Sequence, residues 1–432
     1  MSIDWTHQWL VGLTAMCLAM LATPAAPQQS FYVSADGSDD NPGTEQEPLR
    51  TVAAALQAVA DGGAIEVGPG HFDLEGLSVD LSAPTSISGA GRDATTLLDP
   101  GTIRFTDSLT VRDLTFSGGE GIVLKPDSPE GNVLDGVMIE RCRFEDCITA
   151  ISTHKDPVGV ITNVTIRDCR FERVRTGIAI IYGEISCVHV LSNTFQDIGH
   201  EEGGASCVVI GSNATRETTR DVAVQGNLMD TIFGSTEVID GAGHEVHGIL
   251  AYGTDLAIIG NTVRNLNTGQ DHEAIYMKAR HSVIANNLVV NCGSGAGGGD
   301  ISSKGGETSM GNVICGNTVR SDEPGRGIFV NGGTVVAGNW VKKPNGFNGI
   351  DVYPLGWPAT ITGNHVETGF GAAIYVNGGD GGGRPYEWPE EGSVVVTDNI
   401  AICHDGIPLK LRYLADSIVS GNETGNGSPE QE

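Results

Sequence analysis

A six-residue pattern recurs along this chain and leaves few folds open to it. A β-branched residue is followed by two variable positions, Asn or Cys, one variable position, and then Val, Phe or Met. It reads IERCRF, IRDCRF, VLSNTF, VQGNLM, IIGNTV, IANNLV, ICGNTV, VAGNWV, ITGNHV and VTDNIA, with a first atypical copy in VRDLTF and a last in VSGNET. The fourth position falls at Leu114, Cys142, Cys169, Asn193, Asn227, Asn261, Asn287, Asn317, Asn339, Asn364, Asn399 and Asn422. The shortest step is 339 − 317 = 22 residues and the longest 399 − 364 = 35. Twenty-two residues are too few for a βα unit, and no helix-period pattern stands between the copies. Each interval instead holds short alternating strands divided by Gly or Asn turns. Units that cannot bury an apolar face alone must stack on their neighbours. The expectation is an all-β chain forming a single right-handed parallel β-helix of about 12 coils, the hand following from the crossover rule. The variable steps become loops at the corners. The recurring Asn then stacks at the ~4.8 Å strand spacing and hydrogen-bonds as a ladder inside one turn. Cys142 and Cys169 fill the same slot.

The rest of the chain reads as accessories to that coil. Residues 1–26 carry the apolar run WLVGLTAMCLAMLA and the small-residue stretch TPAAP, which predict a signal peptide cut near Ala25 or Ala26 and a secreted or periplasmic protein. Residues 27–63 hold TVAAALQAV, with helix formers at helical spacing, so a short helix at about Thr51–Ala60 is expected to close the open end of the core. The β-helix proper is placed at 64–424, and 425–432 as a disordered tail. Eight cysteines remain after the signal, with no CxxC spacing, so buried thiols are expected rather than a zinc site. The formal charge is 25 − 54 = −29, which repels nucleic acid and anionic membrane surfaces. A polyanionic substrate would need cations to bridge it.

A second pattern, Gly/Ala-Ile-x-Val-x, shows which residues share a face. It occurs as GILAY, AIYMK, DISSK, GIFVN, GIDVY and AIYVN. Strand alternation buries Ile275 and Met277 and turns Tyr276 and Lys278 outward. Aligning the strands on their first Ile gives one outward column of Tyr252, Lys278, Lys304, Asn331, Tyr353 and Asn377. Two lysines one coil apart repel, which lowers the pKa of at least one toward that of a working base. His247 and Glu273 form another column two positions earlier, and Glu245 and Asp271 a third. Carboxylates from adjacent coils offer oxygen ligands to Ca²⁺. Aromatic Phe329, Tyr353, Tyr375 and Trp357 on later coils would serve as sugar platforms.

Two resemblances add to this reading. The stretch Phe31–Phe72, with DGSDDNPGTEQEPLRTVAAALQAVADGGAIEVGPGHF, resembles the N-terminal cap of secreted right-handed parallel β-helix (pectin-lyase-like) proteins. DHEAIYMKARHSVIANNLVV is similar to polysaccharide lyases of the chondroitinase B and alginate lyase type, whose acidic run precedes a lysine nine positions before the ladder Asn. Asp271, Glu273 and Lys278 match, and 287 − 278 = 9. The resemblance implies Lys278 as base at C5 of a uronate and Ca²⁺ held by Glu245, Asp271 and Glu273 against the substrate carboxylate. Where that family carries an Arg in the next coil, DISSKGG puts Lys304, which lacks the bidentate fork.

The resulting expectation is Ca²⁺-assisted β-elimination on an anionic, uronate-containing polysaccharide by a soluble monomer. Lys278 abstracts the proton, Lys304 meets the carboxylate, and Tyr252 or Tyr276 protonates the leaving oxygen; His247, Asn331, Phe329 and Tyr353 bind substrate. Three rivals stay open: a C5-epimerase, a non-catalytic carbohydrate-binding protein, and a hydrolase, for which Asp300 and Asp351 are the only outward strand acids.

Overall fold

A computed structural model describes residues 29–431 apart from 127–132, 154, 156–158, 201–202, 236–244, 267–270, 294–297, 306–308, 356, 380–393, 415–416 and 426–429. The expected signal segment lies outside the described residues. Among them, no helix is long and apolar enough to cross a membrane.

Each coil is built from three short strands, and each strand pairs in parallel with its counterpart one coil on. Asp271–Arg280, Val283–Ala285 and Leu288–Cys292 make one coil. The next is Gly299–Lys304, Met310–Cys315 and Thr318–Arg320. The registers Ile275↔Ile301, Val283↔Val313 and Val289↔Val319 stack the two. All the described strands join one parallel sheet wound into a β-helix. Its interior is made by alternation: Ile249, Ile275, Ile301, Ile328, Ile350 and Ile374 form one fully buried column, each burial stabilising by roughly 1.5–3 kcal/mol.

The facing column changes character along the axis. Phe116, Phe144, Phe171 and Phe195 stack with ring centroids 4.5–5.2 Å apart. Met229, Val263, Val289, Val319, Val341, Val366 and Ala401 then continue the same register. The small residue before each strand Ile makes room for that column: a Cβ on Gly327 would lie 2.5 Å from Val341 Cγ1, and one on Gly349 2.1 Å from Val366 Cγ1.

The asparagine ladder runs unbroken from Asn193 to Asn422. Each Asn Oδ1 receives the backbone N–H and the Nδ2 of the rung before it, as from Asn261 to Asn287 at 2.9 and 3.0 Å and from Asn287 to Asn317 at 3.0 and 2.9 Å. Each Nδ2 also donates to a carbonyl of the preceding coil, three residues before its rung, such as Asn287 to Ile258 at 2.9 Å. The residue before each rung adopts a left-handed conformation, φ 56° at Asn286 and 63° at Gly316, which is why Gly, Asn, Asp or Ser precedes the ladder Asn. Cys169 takes the slot at the ladder's start, its N–H bound by Asn193 Oδ1 at 2.9 Å. All eight described cysteines are free thiols.

The cap helix spans Val52–Ala58, with Thr51 as N-cap and Val52, Ala55 and Leu56 buried against the first coil. At the other end the expected disordered tail contains Glu430–Gln431, paired with Lys410 and Leu411.

One expectation on strand parity fails. Asp300 does not face outward: it occupies the slot that Gly or Ala fills in the sister coils, and its side chain has no exposed surface. Lys343, also fully buried, reaches both of its oxygens at 2.9 and 2.8 Å. Burial pushes the Asp300 carboxyl up to about 7 despite that ammonium.

Candidate functional site

The outward face of the first strand in successive coils carries the polar cluster. Register pairs Glu245 with Asp271, His247 with Glu273, Leu250 with Tyr276 and Tyr252 with Lys278. Lys304 continues to Asn331, and Asn331 to Tyr353. The expected columns therefore exist. What the side chains do within them differs from the expectation in several places.

Glu273 is the buried pivot. It has no exposed surface and His247 only 1%. Lys304 Nζ donates to its Oε1 at 2.7 Å, and His247 Nε2 lies 3.1 Å from its Oε2. The carboxylate fits because Gly298 follows the turn there: a Cβ on Gly298 would come within 2.2 Å of Glu273 Oε1. Burial works to raise the Glu273 pKa, but the His247 hydrogen bond and the Lys304 charge outweigh it and hold the carboxyl below its ordinary value.

This arrangement does not suit calcium. Both Glu273 oxygens already hold a cation or an imidazole, so a metal there would compete with Lys304 and His247 for the same carboxylate. Glu245 is exposed at the strand start, and the Asp271 side chain lies outside the described residues. Among the described residues no three His, Cys, Asp or Glu side chains converge as a metal site. Of the set Glu245, Asp271 and Glu273, Glu273 is the one whose carboxylate Lys304 and His247 already hold.

The two lysines are thereby made unequal. Lys304 is tied to Glu273 and sits over the Tyr276 ring at 4.6 Å and the Phe329 ring at 5.7 Å. Lys278 has no ion pair or hydrogen bond among the described residues. It lies 5.4 Å from the Tyr252 ring centroid and 5.1 Å from that of Tyr276. Tyr252 and Tyr276 are 7% and 8% exposed and, with Leu250, form a small apolar cluster outside the main core. Partial burial there depresses the Lys278 pKa first, and repulsion from Lys304 adds less, with Glu245 and Glu273 opposing. The sequence argument named repulsion as the cause; desolvation is the larger one. Tyr252 moves the other way, held protonated above its ordinary value by burial and then by Glu245 and Glu273.

Further along the same face the aromatic row is present. Phe329 and Tyr353 centroids are 5.7 Å apart, and Tyr353 and Tyr375 6.0 Å. Burial, then the Asp351 charge, push the Tyr353 hydroxyl up to about 12. Asn331 Oδ1 accepts the Gly305 N–H at 3.1 Å, so it fastens a turn as well as facing the column. Trp357 is not in this row; it lies past the corner, beside Gly333 and Pro358. Asp351 is fully buried, with Arg326 Nε donating at 2.6 Å and Asn348 Nδ2 at 3.0 Å. Burial, opposed by Arg326, raises its carboxyl. With Asp300 inside and Asp351 neutralised by Arg326, the pair of outward acids expected of a hydrolase is absent among the described residues.

Sequence reasoning missed Arg326 and Arg412 and gave Lys410 no role. Arg326 stands two positions before Ile328, in the His247 and Glu273 column, and was readable from RGIFV. Lys410 and Arg412 line a 220 Å³ hollow with Tyr375 and Phe347. GIPLKLR departs from the strand pattern at its Pro, which hid them.

Comparison with known proteins bears on the fold. Residues 35–78 match a family model described as a protein of unknown function, DUF1565. No curated protein matches the sequence. Among solved structures, the chain is similar to the catalytic unit of a GH87 α-1,3-glucanase from Streptomyces thermodiastaticus, at TM-score 0.56 and 14% identity, over 95% of this chain and 71% of that one. It also matches the A-module of the Azotobacter vinelandii mannuronan C-5 epimerase AlgE6, at TM-score 0.40 and 13% identity, over 87% of this chain and 93% of that one. A protein of Geobacillus virus E2, ORF18, matches at TM-score 0.47 and 14% identity, over 76% of this chain, which spans 62% of the phage protein. At these identities the glucanase likeness establishes the architecture, a parallel β-helix.

Proposed function

We propose that this protein is a polysaccharide lyase acting on a uronate-containing polymer laid along the face that carries Tyr252, Lys278, Lys304, Phe329 and Tyr353. The observation that carries the reading is the unequal lysine pair. Lys304 is anchored as a cation by buried Glu273, while Lys278 stands beside it, unpaired among the described residues and depressed in pKa. β-Elimination needs that division: a fixed positive charge for the C6 carboxylate, and a neutral amine for the C5 proton. The C5–H bond breaks and its proton passes to Lys278 Nζ. The electron pair forms the C4=C5 double bond, the C4–O4 bond breaks, and the leaving O4 takes a proton from Tyr252, which its surroundings keep protonated. His247 positions Lys304 through Glu273. Calcium enters no step.

Five cations of this face, Lys278, Lys304, Arg326, Lys410 and Arg412, stand out in a chain of charge −29 and suit an anionic polymer. Lys278, Lys304 and Arg326 stand on three successive coils, and Lys410 and Arg412 together three coils beyond Arg326, each coil step following the ~4.8 Å strand repeat. The likeness to a glucanase catalytic unit supports the coarse part of the reading, a carbohydrate-active β-helix. The test is a panel of anionic polysaccharides followed by the ultraviolet absorbance of new unsaturated ends. Cleavage of at least one, lost in Lys278→Ala, supports the lyase. An epimerase would change the C5 configuration with no absorbance, and a binding protein would retain the polymer unchanged; either outcome overturns the lyase.

A further inference from the structure

Three coils beyond Arg326, the cationic face reaches the hollow of about 220 Å³ that holds Lys410 and Arg412. Alternation along Ile400–Arg412 brings both cations there. Leu409 and Leu411 are buried in the core, so Lys410 and Arg412 turn outward. Lys410 is in register with Tyr375, and Arg412 with Asn377.

The same hollow has aromatic walls. Phe347 is 49% exposed and meets Phe370, 44% exposed, edge to face at 5.9 Å. Tyr375 adds a second ring to the lining. The rest of the lining is small or already committed. A Cβ on Gly371, where φ is 75°, would lie 1.9 Å from the Phe347 carbonyl oxygen, so no side chain fits there. Asn348 uses both ends of its amide, on Asp351 at 3.0 Å and on the Ala372 N–H at 2.9 Å. Two rings, an ammonium and a guanidinium carry the ligand-binding chemistry, and no acidic residue is among the described lining. A small inorganic anion would leave the rings unused, and a neutral sugar gives the cations nothing to hold. An acidic pyranose uses both: its C–H face lies on a ring and its carboxylate takes the guanidinium fork. The volume is below the roughly 300–1,000 Å³ of drug-sized sites, room for one sugar ring and not for an oligosaccharide.

The distance to the lysine pair is set by register. Lys304 lies against Asn331, Asn331 against Tyr353, Val352 against Val376 and Asn377 against Arg412. Arg412 therefore stands four coils beyond Lys304 in one column, ~19 Å at the strand repeat of ~4.8 Å. Between them lie Phe329 and Tyr353, and the cation of that stretch, Arg326, is held by buried Asp351 at 2.6 Å. We propose that the hollow grips one acidic sugar of the polymer, about four units from the one at Lys304, so that binding and cleavage depend on chain length. The inference rests on the polymer lying along this face, as proposed above. Two grips on one chain make the second contact intramolecular, so affinity climbs once a chain spans both.

The test titrates size-graded oligomers of galacturonate, of mannuronate and of glucuronate-containing chains into the full chain carrying Lys278→Ala, by calorimetry. In at least one series, affinity should climb a second time at about five units. Arg412→Ala should weaken the longer oligomers about tenfold or more and leave the shorter ones unchanged. Arg412→Lys should return part of that loss, and Lys410→Ala should act in the same direction as Arg412→Ala. Carboxyl-reduced oligomers of equal length should show no climb. Arg50→Ala, at an exposed cation of the cap, should change neither length class. Should Arg412→Ala not fold, Phe347→Ala at the exposed ring decides, with an expected loss of about fivefold confined to the longer oligomers. No second climb in any series, a climb that survives both cation variants, or an equal loss from Arg50→Ala would overturn the subsite. The wild type on the same oligomers judges the lyase separately. Oligomers that show the climb but stay uncut sink the lyase and keep the subsite, and oligomers cut without a climb do the reverse.

Discussion

Glu273→Gln tests the charge arrangement most directly. The carboxylate has no exposed surface and receives Lys304 Nζ at 2.7 Å and His247 Nε2 at 3.1 Å. Glutamine keeps the shape, one acceptor for the lysine and an N–H for the imidazole, so the geometry can persist while the charge is lost. Removing one partner of a buried pair and stranding the other costs roughly 3–5 kcal/mol. The Lys304 side chain keeps 15% exposure and can turn into solvent. The expected loss is therefore nearer the roughly 1.5–3 kcal/mol of a hydrogen bond to a charged group. Its pH dependence is determined by the depressed Glu273 pKa. A carboxyl whose folded pKa lies below its unfolded value stabilises fully above about 4.5, and the contribution drains as pH falls through the folded value. Urea titrations followed by circular dichroism should thus show the largest gap between wild type and variant at neutral pH. The gap should close as pH drops below 4.5. Equal stability at neutral pH, or a gap that does not change with acidification, would refute the buried-pivot argument.

Other outcomes follow from the same structure. Lys278→Ala should lower turnover by about 10²–10⁴ with folding intact, and wild-type activity should rise with pH through a midpoint below 10.5. Adding Ca²⁺ and then chelator should leave the melting temperature of the wild type unmoved; a rise that Glu273→Gln abolishes would reinstate the metal. Asp300→Ala alone should cost roughly 3–5 kcal/mol by stranding Lys343, whereas Asp300→Ala with Lys343→Met should come back near wild type in denaturant melts. Asn317→Ala, which cuts hydrogen bonds to Asn287, Asn339 and Ile284, should destabilise more than Asn422→Ala at the half-exposed last rung.

The fold was legible because its signal is periodic. A ladder of Asn needs the same residue once per coil, and the left-handed residue before it leaves its own mark as Gly, Asn, Asp or Ser. The strand columns were legible for the same reason, and Tyr252, Lys278 and Lys304 stand as alternation places them. Partnership within a column was not. Glu273 reads as one more carboxylate in an acidic run, and only the reach of the Lys304 side chain across one coil makes it an anchor. The clue was present in Gly298, which leaves the space the carboxylate fills. Asp300 misled because alternation was applied to a corner residue. In the sister coils that slot holds Gly248, Ala274, Gly327, Gly349 and Ala373, small because the opposite wall is close. An Asp among them announces a buried cation, which Lys343 supplies from 43 positions on.

The interior column that passes from stacked phenylalanines through Met229 to valines and Ala401 has a bearing on how such a chain can be lengthened. Each coil fits the girth of its immediate neighbours, and the girth drifts from one end to the other. A duplicated coil inserted beside its parent meets matching walls. The coil of Phe171, moved next to that of Val341, would press a ring against the packing that a Cβ on Gly327 already overfills. Coils here are therefore graded parts and not interchangeable ones. A library that shuffles them should return folded chains chiefly where donor and recipient positions were adjacent.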